Sequence, residues 1–325
     1  MNVRDHLSPE ELQAFTRRSD LAGAVTVAFN WGLIALAFAL VALRPGVLTV
    51  LVSLVLLGGR QLGLAILMHD CAHRSLFRTP WLNEWVGKWL CGAPILADLA
   101  AYRKYHFVHH RTAGSDEDPD RSNYLPYPVG RASMRRKLAR DLTGITGVKT
   151  LYLVLAMSGG LIAYQLSYER KPLDQAGRRW YHVAGLALRN LAAPLLVNVL
   201  LASILALLGY ASVYLLWPAA WLTTYMAFSR LRNASEHGAV PDPWAIDPLR
   251  NTRTTLPRWW ERLTIAPNHV NYHLEHHLLP SVPPHRLADL HACLKSRGVY
   301  GDAEIVEGYS RVFAKLTAEP AQAKS

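Results

Sequence analysis

Residues 47–73 read VLTVLVSLVLLGGRQLGLAILMHDCAH, an apolar run that ends in two histidines. The stretch Val47–Met68 reaches bilayer length, for which a helix needs about 20 mostly apolar residues. At its end His69 and His73 stand four positions apart, which on a helix places both rings on one face, one turn from each other. A membrane span that runs directly into a pair of imidazoles sets the fold class: an all-α membrane protein with its polar chemistry gathered where the spans end.

Three further stretches reach span length, Leu21–Leu43, Val183–Leu208 and Ala211–Phe228. Arg44-Pro45-Gly46 joins the first two spans and Gly209-Tyr210 the last two, so about four transmembrane helices are expected, arranged as two tight hairpins. The first span follows the polar segment MNVRDHLSPEELQAFTRRSD with no small-residue cleavage site after it, and is read as a retained helix. Leu151–Tyr164 is too short to span. Basic residues both precede it, Arg131 to Arg140 among them, and follow it, Arg170 to Arg179, so it reads as re-entrant or interfacial. Trp81–Tyr105, with Trp85 and Trp89, also reads as interfacial. Arg60 lies deep in the second span and serves either packing or a substrate or water path, whereas Arg189 is placed to snorkel to the interface.

Composition agrees. Of 325 residues 51% are hydrophobic and only 18% charged, against about 25% charged in an ordinary soluble domain. The net charge is +11, which suits nucleic acid or an anionic membrane face. The spans favour the membrane. The segment Arg131–Leu142, a basic amphipathic helix by its pattern, would lie on that face. Cys71, Cys91 and Cys293 form no Cys-x-x-Cys and no pairable framework. Loops rich in Lys and Arg stay cytoplasmic. Both termini and the polar cap are therefore expected there, in a multi-pass protein of the plasma (inner) membrane if the source is bacterial.

Histidine is in excess, 14 residues, and four clusters hold most of them: His69-Asp-Cys-Ala-His73, His106-Phe-Val-His109-His110, Asn233-Ala-Ser-Glu-His237 and His273-Leu-Glu-His276-His277. The hairpin topology puts all four on one side. Nine imidazoles exceed what one tetrahedral zinc accepts, so two metals with four or five nitrogen ligands each are expected. Imidazole suits iron, copper, zinc and nickel alike. A His-Glu-x-x-His protease helix is not present, since Asp70 follows His69. Nor does the run Asp116 to Asp120 form an EF-hand, because Arg121 and Tyr127 stand where glycine and glutamate belong. The other histidines, His6, His182, His269, His285 and His291, read as structural, with His269 closest to a role because it precedes His273 by four.

The three histidine boxes, their order relative to two hairpins, and the Asn233 to His237 pair resemble the integral-membrane fatty acid desaturase and hydroxylase family, over roughly residues 20–290. The resemblance implies a non-haem di-iron centre with dioxygen as co-substrate. It implies His69, His73, His106, His109, His110, His237, His273, His276 and His277 as direct ligands, and Asn233 as a contact to one metal through water. Ligating histidines usually donate their second N–H to a carboxylate or carbonyl. Asp70, Glu236, Asp116 and Asp120 are candidates for that role, and Asp118 and Glu275 are the favoured ones.

The departures from subfamily patterns are informative. Three residues separate the histidines of the first box, unlike the four typical of acyl-CoA Δ9 enzymes, which favours a lipid-linked or other acyl carrier. The third box begins with histidine, where front-end enzymes with a fused cytochrome b5 have glutamine, and no His-Pro-Gly-Gly haem signature occurs. Electrons are then expected from a separate donor of the ferredoxin, rubredoxin or cytochrome b5 type with its reductase, docking on the basic face, and no nucleic acid is expected. The leading expectation is an oxygen-dependent fatty acyl desaturase. A hydroxylase or ketolase of a lipid, carotenoid or other hydrophobic molecule is the alternative, and a membrane metal-binding or transport protein a more remote one. The expected organisation is a short N-terminal segment (1–20), a membrane domain with its cap (21–290) and a C-terminal tail (291–325).

Overall fold

The structure is a computed structural model that describes residues 3–167 and 169–318; the outermost parts of both expected terminal segments lie outside the described residues. Helix α1 (Pro9–Thr16) opens with a capping box between Ser8 and Glu11. Helix α2 (Asp20–Leu43) is capped by Ser19, and α3 (Val47–Ala72) returns antiparallel to it after Arg44-Pro45-Gly46. The interface follows the rules for helices in lipid, where polar bonds and small residues replace the hydrophobic drive. Ser53 donates to the Ala37 carbonyl at 2.8 Å. Leu57, Leu64 and Leu67 of α3 are fully buried against a layer that includes Phe38 and Trp217.

After His73 the chain forms α4 (Pro80–Val86), a π-helical turn at Gly87–Gly92, a 3-10 turn at Ala93–Ile95, and then α5 (Leu99–Thr112). The expected interfacial segment Trp81–Tyr105 is thus three short pieces and the start of a longer helix, with Trp81 and Trp85 exposed. Helices α6 (Arg121–Tyr124) and α7 (Arg131–Leu142) follow, then α8 (Ile145–Ser158), the short apolar helix that replaces the expected Leu151–Tyr164. Helix α9 (Trp180–Leu207) is long and lipid-accessible on most faces. Arg189 is exposed near its start.

Among the described residues three helical runs are long and apolar enough to cross a membrane: Pro9–Leu43, Val47–Ala72 and Trp180–Leu207. The fourth expected span, Ala211–Phe228, is not one helix. It is a 3-10 turn (Ala211–Leu215), α10 (Leu216–Leu222) and the start of α11 (Thr224–His237). The break is at Thr223, whose backbone leaves the helical region (φ −122°, ψ −87°). The hydroxyl of Thr224 donates to the Leu54 carbonyl at 2.6 Å, and a Cβ at Gly58 of α3 would collide with that threonine. Close approach to α3, permitted by glycine, redirects the chain from the spans into the cap.

The cap is built from α12 (Pro248–Asn251), β1 (Arg253–Leu256), α13 (Trp259–Leu263), α14 (His273–Leu278), α15 (Leu287–Ser296), β2 (Glu304–Glu307) and α16 (Tyr309–Leu316). The two strands pair in parallel, Arg253 opposite Glu304. Arg253 is buried and closes three attachments, to Glu304 (2.6 Å) and to the carbonyls of Ser235 (2.8 Å) and Ala239 (2.9 Å). The boundary expected at residue 290 falls inside α15, and Leu290 and Leu294 are fully buried with Leu274 and Tyr300. The described part of the C-terminal segment is therefore packed into the cap.

Arg60 has a packing role. Its guanidinium donates to Asn30 Oδ1 on α2 and to the Arg262 carbonyl in the cap, both at 3.0 Å. Asn30 in turn bonds Asn268, which donates to the Gly63 carbonyl at 2.8 Å. This chain of bonds sits 1% exposed at Arg60 and fixes the cap onto the first hairpin.

Candidate metal centre

Four helices deliver the nine histidines. His69 and His73 end α3, with His73 as its C-cap residue. His106, His109 and His110 lie in the second half of α5, His237 ends α11, and His273, His276 and His277 lie on α14. Arg103 of α5 donates to the carbonyls of Ala72 (2.8 Å) and Cys71 (3.2 Å), and pairs with Glu84 of α4. It satisfies the Ala72 carbonyl that the end of α3 leaves open, adds a second donor to the Cys71 carbonyl that already accepts from the Arg74 amide, and thereby holds the first histidine pair against the second cluster.

The side chains sort into two groups, each able to hold a metal ion. His69, His73, His106, His110 and His276 form one, and His109, His237, His273 and His277 the other, with the donor nitrogens of each group within 4.8 Å of one another. The groups adjoin: the rings of His110 and His277 stack with centroids 4.4 Å apart. Every pair spaced by four, 69/73, 106/110 and 273/277, stays within one group. The odd member of each of the last two boxes crosses over, His109 to the second group and His276 to the first.

The donor set fits cations. Nε2 atoms face each other at 3.0 Å between His69 and His276, His106 and His110, and His110 and His276, and at 2.9 Å between His237 and His273. The Nε2 atoms of His73 and His277 are buried without any hydrogen-bond partner. Meanwhile Nδ1 is engaged outward. His69 donates to Asp70 (2.9 Å), His109 to Asp118 (2.8 Å) and His237 to the Asn251 carbonyl (2.9 Å), while His273 Nδ1 lies 3.4 Å from Glu236. A proton held on Nδ1 leaves the Nε2 lone pair pointing inward, and converging lone pairs repel unless a cation lies between them.

Burial keeps most rings neutral, the state that ligates. It pushes His73 and His237 down to about 3, with Arg103 and His109 respectively adding to the effect. His106, His110, His276 and His277 are likewise driven well down by burial and by one another. His109 goes the other way: burial opposes its charge, but the bond to Asp118 and the nearby Asp120 more than offset that. Glu236, buried in an ion pair with Arg232 at 2.6 Å, is raised to about 8 by desolvation.

The outer residues divide. Asp118 is 4% exposed and receives His109, the Asp120 amide (2.9 Å) and the Tyr124 hydroxyl (2.7 Å). Asp120 accepts from Tyr105 and Asn123, both at 2.9 Å, whereas Asp116 pairs with Arg121 away from the histidines. Glu275 departs from the expected support of a box histidine. Although it sits between His273 and His276, its carboxylate turns to the opposite side of α14 and accepts from His291 (2.6 Å), Tyr300 (2.6 Å) and Thr254. Asn233 lines a cavity of about 70 Å³ together with Tyr102, His106, His109 and His237, and its Oδ1 accepts from Arg232 at 2.9 Å. His269 is at the site's edge, lining a small cavity with His69 and His276, its Nδ1 buried and unpaired. Sequence reasoning missed Tyr102, stacked on His106 at 5.1 Å, and the Asn251 carbonyl. A tyrosine four residues before a box histidine was a visible signal, but a main-chain acceptor offers none.

A sequence model described as Fatty acid desaturase matches residues 45–307. The chain is 25% identical to the dihydrorhizobitoxine desaturase of Bradyrhizobium elkanii, over 82% of this chain and 73% of that protein. It is 27% identical to an sn-1 oleoyl-lipid 12-desaturase of Picosynechococcus sp., over 79% and 72%. With an sn-1 acyl-lipid omega-3 desaturase (ferredoxin) of Nostoc sp. it shares 22% identity over 69% and 61%.

Proposed function

Because this membrane oxidoreductase belongs to the fatty acid desaturase family, we propose that it is a di-iron, oxygen-dependent desaturase that introduces a C=C bond into a fatty acyl chain carried on a lipid. The observation that carries the reading is the pair of adjoining imidazole groups, five and four, with Nδ1 engaged outward and Nε2 turned inward. The ligands in this reading are His69, His73, His106, His110 and His276 for one iron and His109, His237, His273 and His277 for the other, with Asn233 beside the second. Bound iron would supply the activation of dioxygen that lets hydrogen be taken from an unactivated methylene, which no side chain can do alone.

The overall reaction removes two hydrogens from the chain and, with dioxygen, two electrons and two protons, yields the alkene and two waters. The electrons come from outside. A separate donor of the ferredoxin, rubredoxin or cytochrome b5 type with its reductase fits that need, and the printed name of the Nostoc relative includes ferredoxin. This chain's own residues hold the rings in place through Asp70, Asp118 and Asn251, with Glu236 beside His273, and keep water away by burial: His69, His106, His109, His237, His273 and His276 are each 7% exposed or less. We place the centre and both termini on the cytoplasmic side, supported by the basic residues that flank the boxes.

Expression in a host of simple lipid composition, with a reducing system supplied, tests the reading. Mass spectrometry of the acyl chains should show a new double bond that His276→Ala abolishes, and metal analysis of the purified protein should find two irons per chain. Unchanged lipids, or an acyl product carrying oxygen in place of the double bond, overturns desaturation; one zinc per chain overturns the oxygen chemistry.

A further inference from the structure

A cleft of about 670 Å³ opens where α1 gives way to α2, away from the histidine groups. Its volume lies within the ~300–1,000 Å³ of small-molecule sites. Three separate parts of the chain supply its cations: Arg17 and Arg18 from the α1–α2 junction, Arg78 from the loop after α3, and Arg286 from the turn before α15, where His285 also lines the wall. Among the described residues Arg17, Arg18 and Arg78 form no ion pair within 4.0 Å, and Arg18 Nε is buried without a partner. The one carboxylate on the wall, Asp20, stands near Arg78 and offsets part of its charge. It accepts from the amide and the hydroxyl of Thr79 at 2.9 and 2.7 Å, and Arg286 is drawn only to the exposed Asp289 at 3.1 Å.

Four arginines against one carboxylate around a single cleft call for an anion with several acceptor oxygens. The cleft floor says which kind. Leu21, at the start of the first long apolar helix, is part of the lining and is 75% exposed. Val25 and Phe29 follow at helical spacing, 59% and 54% exposed, so an apolar stripe leads from the cations down the lipid-facing side of α2. A free phosphate ion would use the charge and leave the stripe unused. An anionic phospholipid uses both.

We propose that this cleft binds the phosphate of an anionic membrane phospholipid, with an acyl chain lying along Leu21, Val25 and Phe29. Arg78 follows the first histidine pair in sequence and Arg286 the third box, so the bound lipid would sit on the same side of the spans as the histidines. Arg286 adjoins Leu287, which lines the small cavity at His69 and His276.

The test uses the purified full chain in uncharged detergent, with binding of phosphatidylglycerol, phosphatidylcholine and inorganic phosphate followed by native mass spectrometry and by thermal unfolding. Phosphatidylglycerol should be retained at one per chain and raise the unfolding midpoint. Arg17→Gln with Arg18→Gln should weaken that binding roughly tenfold or more and leave the lipid-free midpoint unchanged. Arg78→Gln, on a different segment, should weaken it as well, and decides the matter alone if the double variant cannot be purified. Undiminished binding in the variants, equal retention of phosphatidylcholine, or equal stabilisation by inorganic phosphate overturns the proposal. Neither iron nor an electron donor is needed, so the result is independent of the desaturase reading.

Discussion

The Nδ1–H of His109 donates to Asp118 across 2.8 Å, and that carboxylate also holds the Tyr124 hydroxyl and the Asp120 amide. One buried acid thus fixes the ring of the only α5 histidine in the four-membered group and ties it to the loop beyond α5. Partners of this kind set ring orientation and basicity, and their loss costs about 10–100-fold in metal affinity. Asp118→Asn keeps the shape but weakens the acceptor. Its iron should be lost to a chelator at 10–100-fold lower concentration, with a smaller change at the five-membered group; iron retention equal to the parent would deny the acid this role.

The partition of the histidines makes a sharper prediction. His237 belongs to the four-membered group and His276 to the five-membered one. Alanine at either position leaves the other group complete. Each variant should therefore purify with about one iron in place of two, and both should be inactive, because two coupled metals are needed in the proposed chemistry. Combining the substitutions should remove the second iron. If either single variant lost both metals while still folded, the groups would form one indivisible site.

The two fates of the box residues show what the sequence could carry. The pairs four apart were legible, since helical spacing alone places 69/73, 106/110 and 273/277 on shared faces. Which group His109 and His276 join was not, because that depends on how α5 and α14 cross in space. The break at Thr223 was hidden for a similar reason: Ala211–Phe228 carries no charge, and its serine and threonines, Ser212, Thr223 and Thr224, do not by themselves end a helix, whereas the approach of Thr224 to Gly58 turns the chain. Glu275 was misassigned because neighbours in sequence on a short helix point to different sides.

Gly59 tests the contact that seats the cap on the first hairpin. A Cβ there would strike the Leu263 carbonyl, a backbone atom with no rotamer to yield. Gly59→Ala should cost about 1–3 kcal/mol by overpacking, read as a lower midpoint in detergent. Gly32→Ala on α2, where nothing lies within 4 Å of the added carbon, should be neutral or slightly stabilising, by up to ~1 kcal/mol, because alanine suits a helix interior better. Equal effects at the two positions would remove the contact as the explanation.

Glu275 offers the last discrimination, between holding the helix and holding the metal. Its carboxylate is fully buried and accepts from His291, Tyr300 and Thr254, which connect α14 to α15, to the segment before β2 and to β1. Tyr300→Phe removes one donor to a buried carboxylate, a change of roughly 1.5–3 kcal/mol in stability. Glu275→Gln should cost a similar amount: its amide oxygen can stand at Oε1 and still accept from His291 and Tyr300, but both bonds lose the charge of the carboxylate and the nitrogen can only donate toward Thr254. Both variants should unfold at lower temperature, yet at a temperature where they are folded, Tyr300→Phe should resist chelator within about twofold of the parent, far less than the 10–100-fold that marks loss of a ligand's partner. A tenfold loss of iron affinity at unchanged stability would return Glu275 to the support of a metal-binding ring, contrary to the direction its carboxylate takes.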